Sequence, residues 1–246
     1  MTERRRQVSI VIPAYNEERR IGRTLERICA WQPATCTVRE VLVVDDGSRD
    51  GTVALVERLA GGGPIRLLRN PSNRGKGFSV RHGVLAAQGE AILFSDADLS
   101  TPVEELDRLV PALDRAPVVI GSRAVADSRL EVHQPLYREL SGRAFNRFVQ
   151  AAVLPGIHDS QCGFKLFERA AARDIFERLT IDGFGFDIEA LYLARRLGHA
   201  VAEVGVRWID DPDSKVTLLR DAPRMFADLA RVRWRHRGLD RNPTKR

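Results

Sequence analysis

Short apolar runs alternate with amphipathic stretches from the start of the chain. Residues 8–14 (VSIVIPA) predict a buried strand, and residues 17–30 a helix with Ile21, Leu25 and Ile28 at helical spacing. Residues 40–46 (EVLVVDD) predict a second strand, followed by a helix from Thr52 to Leu59. Residues 65–69 predict a third strand, and Gly75 to Ala87 a helix after the turn-rich NPSNRGKG. A fourth strand is expected at 91–96 (AILFSD), a helix from Pro102 to Leu113 and a fifth strand from Val118 to Ile120. Alternation at this pace implies βαβ units and a mostly parallel sheet. Strands this apolar are expected to be covered on both faces.

After Arg123 the rhythm breaks. Residues 124–135 are polar and predict a loop; 136–153 carry a long helical pattern. A strand is expected at 161–167, helices at 168–178 and 186–197, a strand at 200–208, a polar loop at 210–217 and a basic helix at 220–237. No internal repeat and no low-complexity segment interrupts this order, and the last residues, RNPTKR, are expected to be loose.

At 246 residues the chain is expected to form a single domain, with 43% apolar and 29% charged residues, an ordinary globular balance. No run approaches the roughly 18–20 apolar residues of a membrane span, and the apolar run after the basic N-terminus is too short for a signal peptide. Cys29, Cys36 and Cys162 match no metal spacing or disulfide framework, so a cytoplasmic protein is expected. The net charge of +6 is nearly all arginine, the lysines being Lys76, Lys165, Lys215 and Lys245. Such a balance suits nucleic acid, an anionic membrane face or a phosphorylated substrate, and composition does not choose among them.

The polar clusters do choose. PAYNEE follows strand 1, DDGSRDGT strand 2, NRGKG strand 3, and DADLS closes strand 4. Ligands of open α/β sheets bind beyond the carboxyl ends of the strands, so four clusters at one sheet edge point to one site. Neither G-x-G-x-x-G nor a Walker lysine loop is present. Asp96 and Asp98, two residues apart, would project the same way from an extended segment and could share a hard divalent cation. Alone, the pair also reads as a strand end followed by a turn residue.

VSIVIPAYNEE, VLVVDDGSRDGT, NRGKGFSVRHG and FSDADLSTP resemble the nucleotide-sugar domain of family 2 glycosyltransferases. DSQCGFKLF, FGFDIE and the late W…DSK narrow the resemblance to the dolichyl-phosphate or polyprenyl-phosphate glucosyltransferase branch, near the dolichol-phosphate mannose synthases. The resemblance implies a GT-A fold: a Rossmann-like, mostly parallel sheet flanked by helices. It would be one domain over 8–237, with 8–123 binding the nucleotide-sugar and 124–237 the acceptor, between tails 1–7 and 238–246.

Residue by residue, the resemblance implies that Pro13, Tyr15 and Glu17 line the nucleoside pocket. Val44 and Asp46 would meet the base, with Asp45 bracing the turn. Gly75 and Lys76 suit an anionic or ribose contact, or else form a solvated turn. Ala97 would pack near the donor, and Asp96 and Asp98 would share Mg²⁺ or Mn²⁺ with its diphosphate. Ser100 stands where the mannose synthases carry Gln, which leaves a third protein ligand open. Arg123 would meet the acceptor phosphate, and Arg138, Ser141 and Arg143 would complete the anion pocket or form a basic helix face. Asp159, Gln161, Lys165, Asp187 and Glu189 would lie near the site, Ser214 and Lys215 would close over the diphosphate, and Trp208 and Cys162 would pack.

The implied reaction moves glucose from UDP-glucose to a polyprenyl or dolichyl phosphate with inversion. Asp98, Arg123, Asp187 and Lys215 are expected to act in it. Basic amphipathic stretches would meet a membrane surface, placing the protein on the inner face of the cell membrane. They pair Leu136, Leu140, Phe145, Phe148 and Val149 with arginines, and Met225, Phe226, Leu229 and Trp234 with others; the alternative is that these apolar faces pack on the domain. Other readings are transfer of mannose or N-acetylglucosamine, a non-lipid acceptor, or a non-catalytic nucleotide- or nucleic-acid-binding module. Nucleic acid is not expected as a partner, since aromatics are 7% and no such motif is present.

Overall fold

The computed structural model describes residues 5–132, 144, 146–209 and 218–239. The first half follows the predicted alternation: β1 (Arg6–Ala14), α1 (Ile21–Ala30), β2 (Cys36–Asp45), α2 (Thr52–Leu59), β3 (Ile65–Arg69), α3 (Lys76–Ala86) and β4 (Ala91–Ser95). There follow α4 (Leu106–Leu109) within a broken helical segment, β5 (Val118–Ser122), β6 (Arg129–Val132) and helical residues 146–152, here α5. The chain continues through β7 (Phe164–Glu168), α6 (Arg169–Phe176), α7 (Phe186–Arg196), β8 (Val201–Gly205), β9 (Arg207–Ile209) and α8 (Leu218–Arg235).

The main sheet has seven strands in the order β3-β2-β1-β4-β7-β5-β8. The first four are parallel, as are β5 and β8, and β7 alone runs antiparallel to both its neighbours. Both faces are covered. Val11, Leu42, Ile92 and Phe94 pack with α3, α6 and α7 residues such as Val80, Ile175 and Leu191. Ile10, Ile12, Val41 and Leu93 face the other way, onto Ile21, Leu25, Val56 and Leu106. The period of two in each strand therefore feeds two apolar layers, which explains the near-continuous apolar runs. At roughly 25 cal/mol per Å² of apolar surface, these layers are the main stabilising term of the fold.

The predicted helix from Pro102 to Leu113 is instead a 3₁₀ turn (Val103–Glu105), the short α4 and a second 3₁₀ segment (Val110–Asp114). Pro111 lies near the start of that last segment; it has no N–H for an α-helical bond, so a continuous helix is broken there. The strand expected at 200–208 divides at Val206, and β9 leaves the main sheet to pair in parallel with β6, inside the stretch expected to be a loop. Val206 makes the corner: its N–H donates to the Ser122 carbonyl (3.1 Å) and its own carbonyl accepts from the Arg129 N–H (3.1 Å). The helix expected at 17–30 begins only at Ile21, because Glu17 to Arg20 form a turn. No helix among the described residues is long and apolar enough to cross a membrane.

The carboxyl ends of β1, β2, β3 and β4 share one edge. α3 lies against the sheet closely enough that a Cβ on Gly83 would fall 2.4 Å from Val11 Cγ1 and 2.8 Å from Val44 Cγ2. Gly83→Ala is therefore expected to cost about 1–3 kcal/mol through overpacking, read as a lower urea midpoint at unchanged slope; an unchanged midpoint would show that α3 is not seated this closely.

Candidate active site

Each loop at this edge is fixed by side chains from a neighbouring loop. The Asn16 N–H donates to Ser48 Oγ (2.9 Å), while Asn16 Oδ1 accepts from the Arg49 N–H (2.8 Å). Asn16 adopts a left-handed φ of 53°, a conformation asparagine tolerates. Asp45 accepts from the Gly47 and Ser48 N–H groups, bracing the turn as expected. The Asp46 carboxylate accepts from Asn70 Nδ2 (2.8 Å), the Arg74 N–H (3.0 Å) and the Gly75 N–H (2.8 Å). One buried carboxylate thus ties the end of β2 to the loop before α3.

These loops surround a cavity of about 370 Å³, within the usual range for small-ligand sites. Of the expected residues, Pro13, Tyr15, Glu17, Asp46, Gly75, Lys76, Asp96, Ala97 and Asp98 line it. Arg20, Asn73, Ser79 and Phe184 line it too and were not anticipated. Arg20 closes a bidentate pair on Glu17 (2.7 and 2.9 Å). Val44 differs from expectation: its side chain is fully buried in the core and does not line the cavity.

The Asp96–Asp98 segment is a turn rather than an extended run, with Leu99 in the left-handed region at φ 49°. The two carboxylates still come close enough to influence each other. Burial first, and then the charge of Asp96, pushes the Asp98 carboxyl above its ordinary range, against the pull of the Ser100 N–H, Lys76 and Arg20. Lys76 Nζ lies 2.6 Å from Asp96 Oδ1, and its ammonium also faces the Phe94 and Phe184 rings. Burial works against that charge, but Asp96, Asp187 and Asp98 together raise its pKa. Gly163 sits beneath Asp96: its carbonyl accepts the Asp96 N–H (3.0 Å), and a Cβ there would fall 1.9 Å from Asp96 Oδ2. The glycine of DSQCGFK therefore makes room for this carboxylate.

Among the described residues no group of three or more His, Cys, Asp or Glu gathers as a metal cage. The donor set is a pair of carboxylates, one already drawing an ammonium to it. That chemistry fits a hard divalent cation sharing its remaining positions with a diphosphate. Excess negative charge at Asp98 is what such a cation would relieve.

Beyond β5, Arg123 Nε and Nη2 donate to the two oxygens of the buried Asp159 (2.7 and 2.8 Å), and the Arg123 N–H also donates to Asp159 (2.9 Å). The Arg123 guanidinium lies 5.5 Å from the Trp208 ring centroid. Glu203 in turn accepts the Asp159 N–H (3.0 Å). Gln161 is half-buried beside this pair, its N–H directed at Asp159 Oδ1 (3.3 Å). Lys165 is 1% exposed and bonds Asp187 Oδ1 (2.5 Å) and the Cys162 carbonyl (2.6 Å). It is a buried counter-ion, not a side chain open to a substrate. Burial raises the Asp187 carboxyl, opposed by Lys165 and Lys76. Burial also pushes the Cys162 thiol up to about 11, in keeping with a packed, unreactive residue. Arg138, Ser141, Arg143, Ser214 and Lys215 lie outside the described residues.

Comparisons with known proteins agree with this fold. Residues 9–176 match the family model described as glycosyl transferase family 2. The chain is 35% identical over 243 residues to dolichyl-phosphate beta-glucosyltransferase of Dictyostelium discoideum, covering 93% of this chain and 74% of that protein. It is 37% identical over 238 residues to the Drosophila melanogaster protein of the same name, covering 91% and 73%. Among solved structures, it resembles glucosyl-3-phosphoglycerate synthase of Mycobacterium tuberculosis in complex with Mn²⁺, UDP and glucosyl-3-phosphoglycerate. That match has a TM-score of 0.65 at 20% identity, over 92% of this chain and 80% of the other. Another crystal structure of that synthase contains Mg²⁺ and UDP.

Burial opposes the charge of Asp159, but Arg123 beside it holds its pKa below the ordinary value. A depressed folded-state pKa gives stability that is fully present above the unfolded value of about 3.9 and is lost as pH falls through the folded value. Asp159→Asn is expected to cost about 3 kcal/mol at pH 7 and to flatten the loss of stability below about pH 4. Urea denaturation at both pH values measures this; an equal loss in acid for both proteins would contradict it.

Proposed function

The chain belongs to glycosyl transferase family 2, and on that premise we propose that it transfers glucose from UDP-glucose to a dolichyl or polyprenyl phosphate, inverting the anomeric centre. The observation that carries this reading is the placement of the Asp96–Asp98 pair on the wall of the loop-lined cavity, with Arg123, paired to Asp159, close enough to feel the charge of Asp96. Residues 8–123 are the nucleotide-sugar half in this reading and 124–237 the acceptor half, although β7 from the latter inserts between β4 and β5.

The nucleoside lies along Pro13, Tyr15 and Glu17, with Asp46 at its base. Asp96 and Asp98 would hold Mg²⁺ or Mn²⁺, which supplies charge neutralisation for the departing diphosphate. Lys76 adds a second cation at the same end, and Ser214 and Lys215, outside the described residues, are assigned to the leaving diphosphate in this reading. Arg123 spends one edge of its guanidinium on Asp159, and the remaining N–H groups suit the acceptor phosphate. Arg138, Ser141 and Arg143, outside the described residues, are assigned to the same acceptor phosphate in this reading.

A phosphomonoester, with a second pKa of about 6, is already anionic at neutral pH. Its oxygen attacks the anomeric carbon as the bond to UDP breaks, with no proton to remove first. That requirement suits this site, where Asp187 is bound to Lys165 and is not free to serve as a base. Direct displacement turns an α-linked donor into a β-linked product.

The acceptor tail reaches the site from a bilayer. Val149 and Leu229 are buried in the core, so those parts of the two amphipathic faces pack on the domain. Phe148 and Trp234 remain 47% and 65% exposed, beside basic residues on α5 and α8. These suit the surface of an anionic membrane on its cytoplasmic side. Leu136, Leu140 and Phe145 lie outside the described residues, as do the side chains of Met225 and Phe226.

Incubation with a panel of UDP- and GDP-sugars and short polyprenyl phosphates, read by mass spectrometry, tests the reading. The expected product is a hexosyl lipid phosphate from UDP-glucose. Asp98→Asn is expected to lower its formation by at least about 100-fold. Full activity in that variant would remove the metal role, and product from GDP-mannose alone would change the donor.

A further inference from the structure

The proposed reaction leaves one buried charge network unused. Glu189, on the first turn of α7 and fully buried, accepts four hydrogen bonds. The donors are the Thr180 N–H (2.9 Å), the Ile181 N–H (2.7 Å), the Thr180 hydroxyl (2.6 Å) and His236 Nε2 (2.7 Å). His236 lies just beyond α8, its N–H bonded to the Val232 carbonyl. α8 touches the same segment again at Asp228, whose carboxylate leaves no room for a side chain on Gly185.

The segment held in this way forms part of the donor site. The Asp182 carbonyl accepts the Phe78 N–H (3.2 Å), one of the unpaired donors at the start of α3. A Cβ on Gly75 would fall 2.4 Å from that carbonyl, and one on Gly77 would fall 2.3 Å from the carbonyl of Ile181. The backbone of 181–182 is therefore pressed against the turn that carries Lys76. Two residues on, Phe184 is 40% exposed, lines the cavity and faces the Lys76 ammonium (5.7 Å).

We propose that Glu189 and His236 are positioning residues that fix segment 180–184, so that it holds Lys76 and Phe184 at the diphosphate end of the donor cavity. The inference deepens the donor reading above and rests on it. α8 thereby becomes part of the donor site's support: its end holds Glu189, Glu189 holds the segment, and the segment holds the first turn of α3.

Calorimetric titration of the full chain with UDP in Mn²⁺ tests this. His236→Phe keeps a ring and removes the donor; it is expected to weaken UDP binding about tenfold. His236→Gln, which restores an N–H near the same place, is expected to stay within about twofold of the wild type. In a Phe184→Ala background, His236→Phe is expected to add less than about threefold, because the two act through one segment. Should His236→Phe not fold, Thr180→Val removes one donor to Glu189 at constant shape and is expected to weaken UDP binding about threefold. Wild-type affinity in the folded His236→Phe or Thr180→Val protein overturns the proposal, as does the full tenfold effect in the Phe184→Ala background. A wild-type chain that binds no UDP overturns the donor reading, and this inference with it.

Discussion

Two carboxylates beside one another at the end of a buried strand are an arrangement that folding alone does not favour. Burial first, and then the charge of Asp96, raises the cost of ionising Asp98. The protein tolerates the pair by surrounding it with cations of graded accessibility. Lys76 bonds Asp96 directly, Arg20 acts on Asp98 from the turn before α1, and Arg123 and Lys165 stand further back, each already committed to a carboxylate of its own. The site is thus an electrostatic balance from which the pair can turn to a bound cation while the more distant ion pairs keep the frame.

That frame explains how weak local features produce a specific site. The β-edge loops do not rely on their own sequence to hold shape; each is tied to the next. Asn16 bonds the loop after β2, Asp46 bonds the loop before α3, and Gly163 gives Asp96 the space it occupies. Positions that must be held within a fraction of an ångström are set by backbone donors and close glycine contacts, which lose little entropy on binding. The same logic extends to Glu189, whose bonds with His236 and the 180–181 backbone reach the cavity through the start of α3 and through Phe184.

Much of this was legible in the residues. The apolar runs of β1 to β5 and the polar clusters at their ends located the edge, because a sheet covered on both faces leaves its chemistry only at the strand termini. The resemblance to family 2 then named most of the cavity's lining. What the sequence hid has physical causes. β6 is short and half polar, so neither composition nor run length distinguishes it from loop, and the break at Val206 that separates β9 from β8 falls inside one predicted strand. The antiparallel direction of β7 is a property of the sheet order, invisible in its own residues. Pro111 was a visible sign that the helix over 102–113 could not continue, and it was the signal to weigh there. Arg20 and Phe184 reach the cavity from a turn before α1 and a loop before α7, placements that only the packing fixes. Arg123 and Lys165 both carry charge in promising motifs, but the first keeps an edge free beside Asp159 while the second is sealed against Asp187. Spacing does not tell those two situations apart.

If the carboxylate pair holds the sugar nucleotide through a divalent cation, nucleotide binding depends on the metal. Calorimetric titration of the wild-type chain with UDP-glucose, once in saturating Mn²⁺ and once after chelation, tests it most directly. Saturable binding is expected with the metal, and at least about tenfold weaker binding without it. Equal affinity in both titrations, or no heat in either, would contradict it.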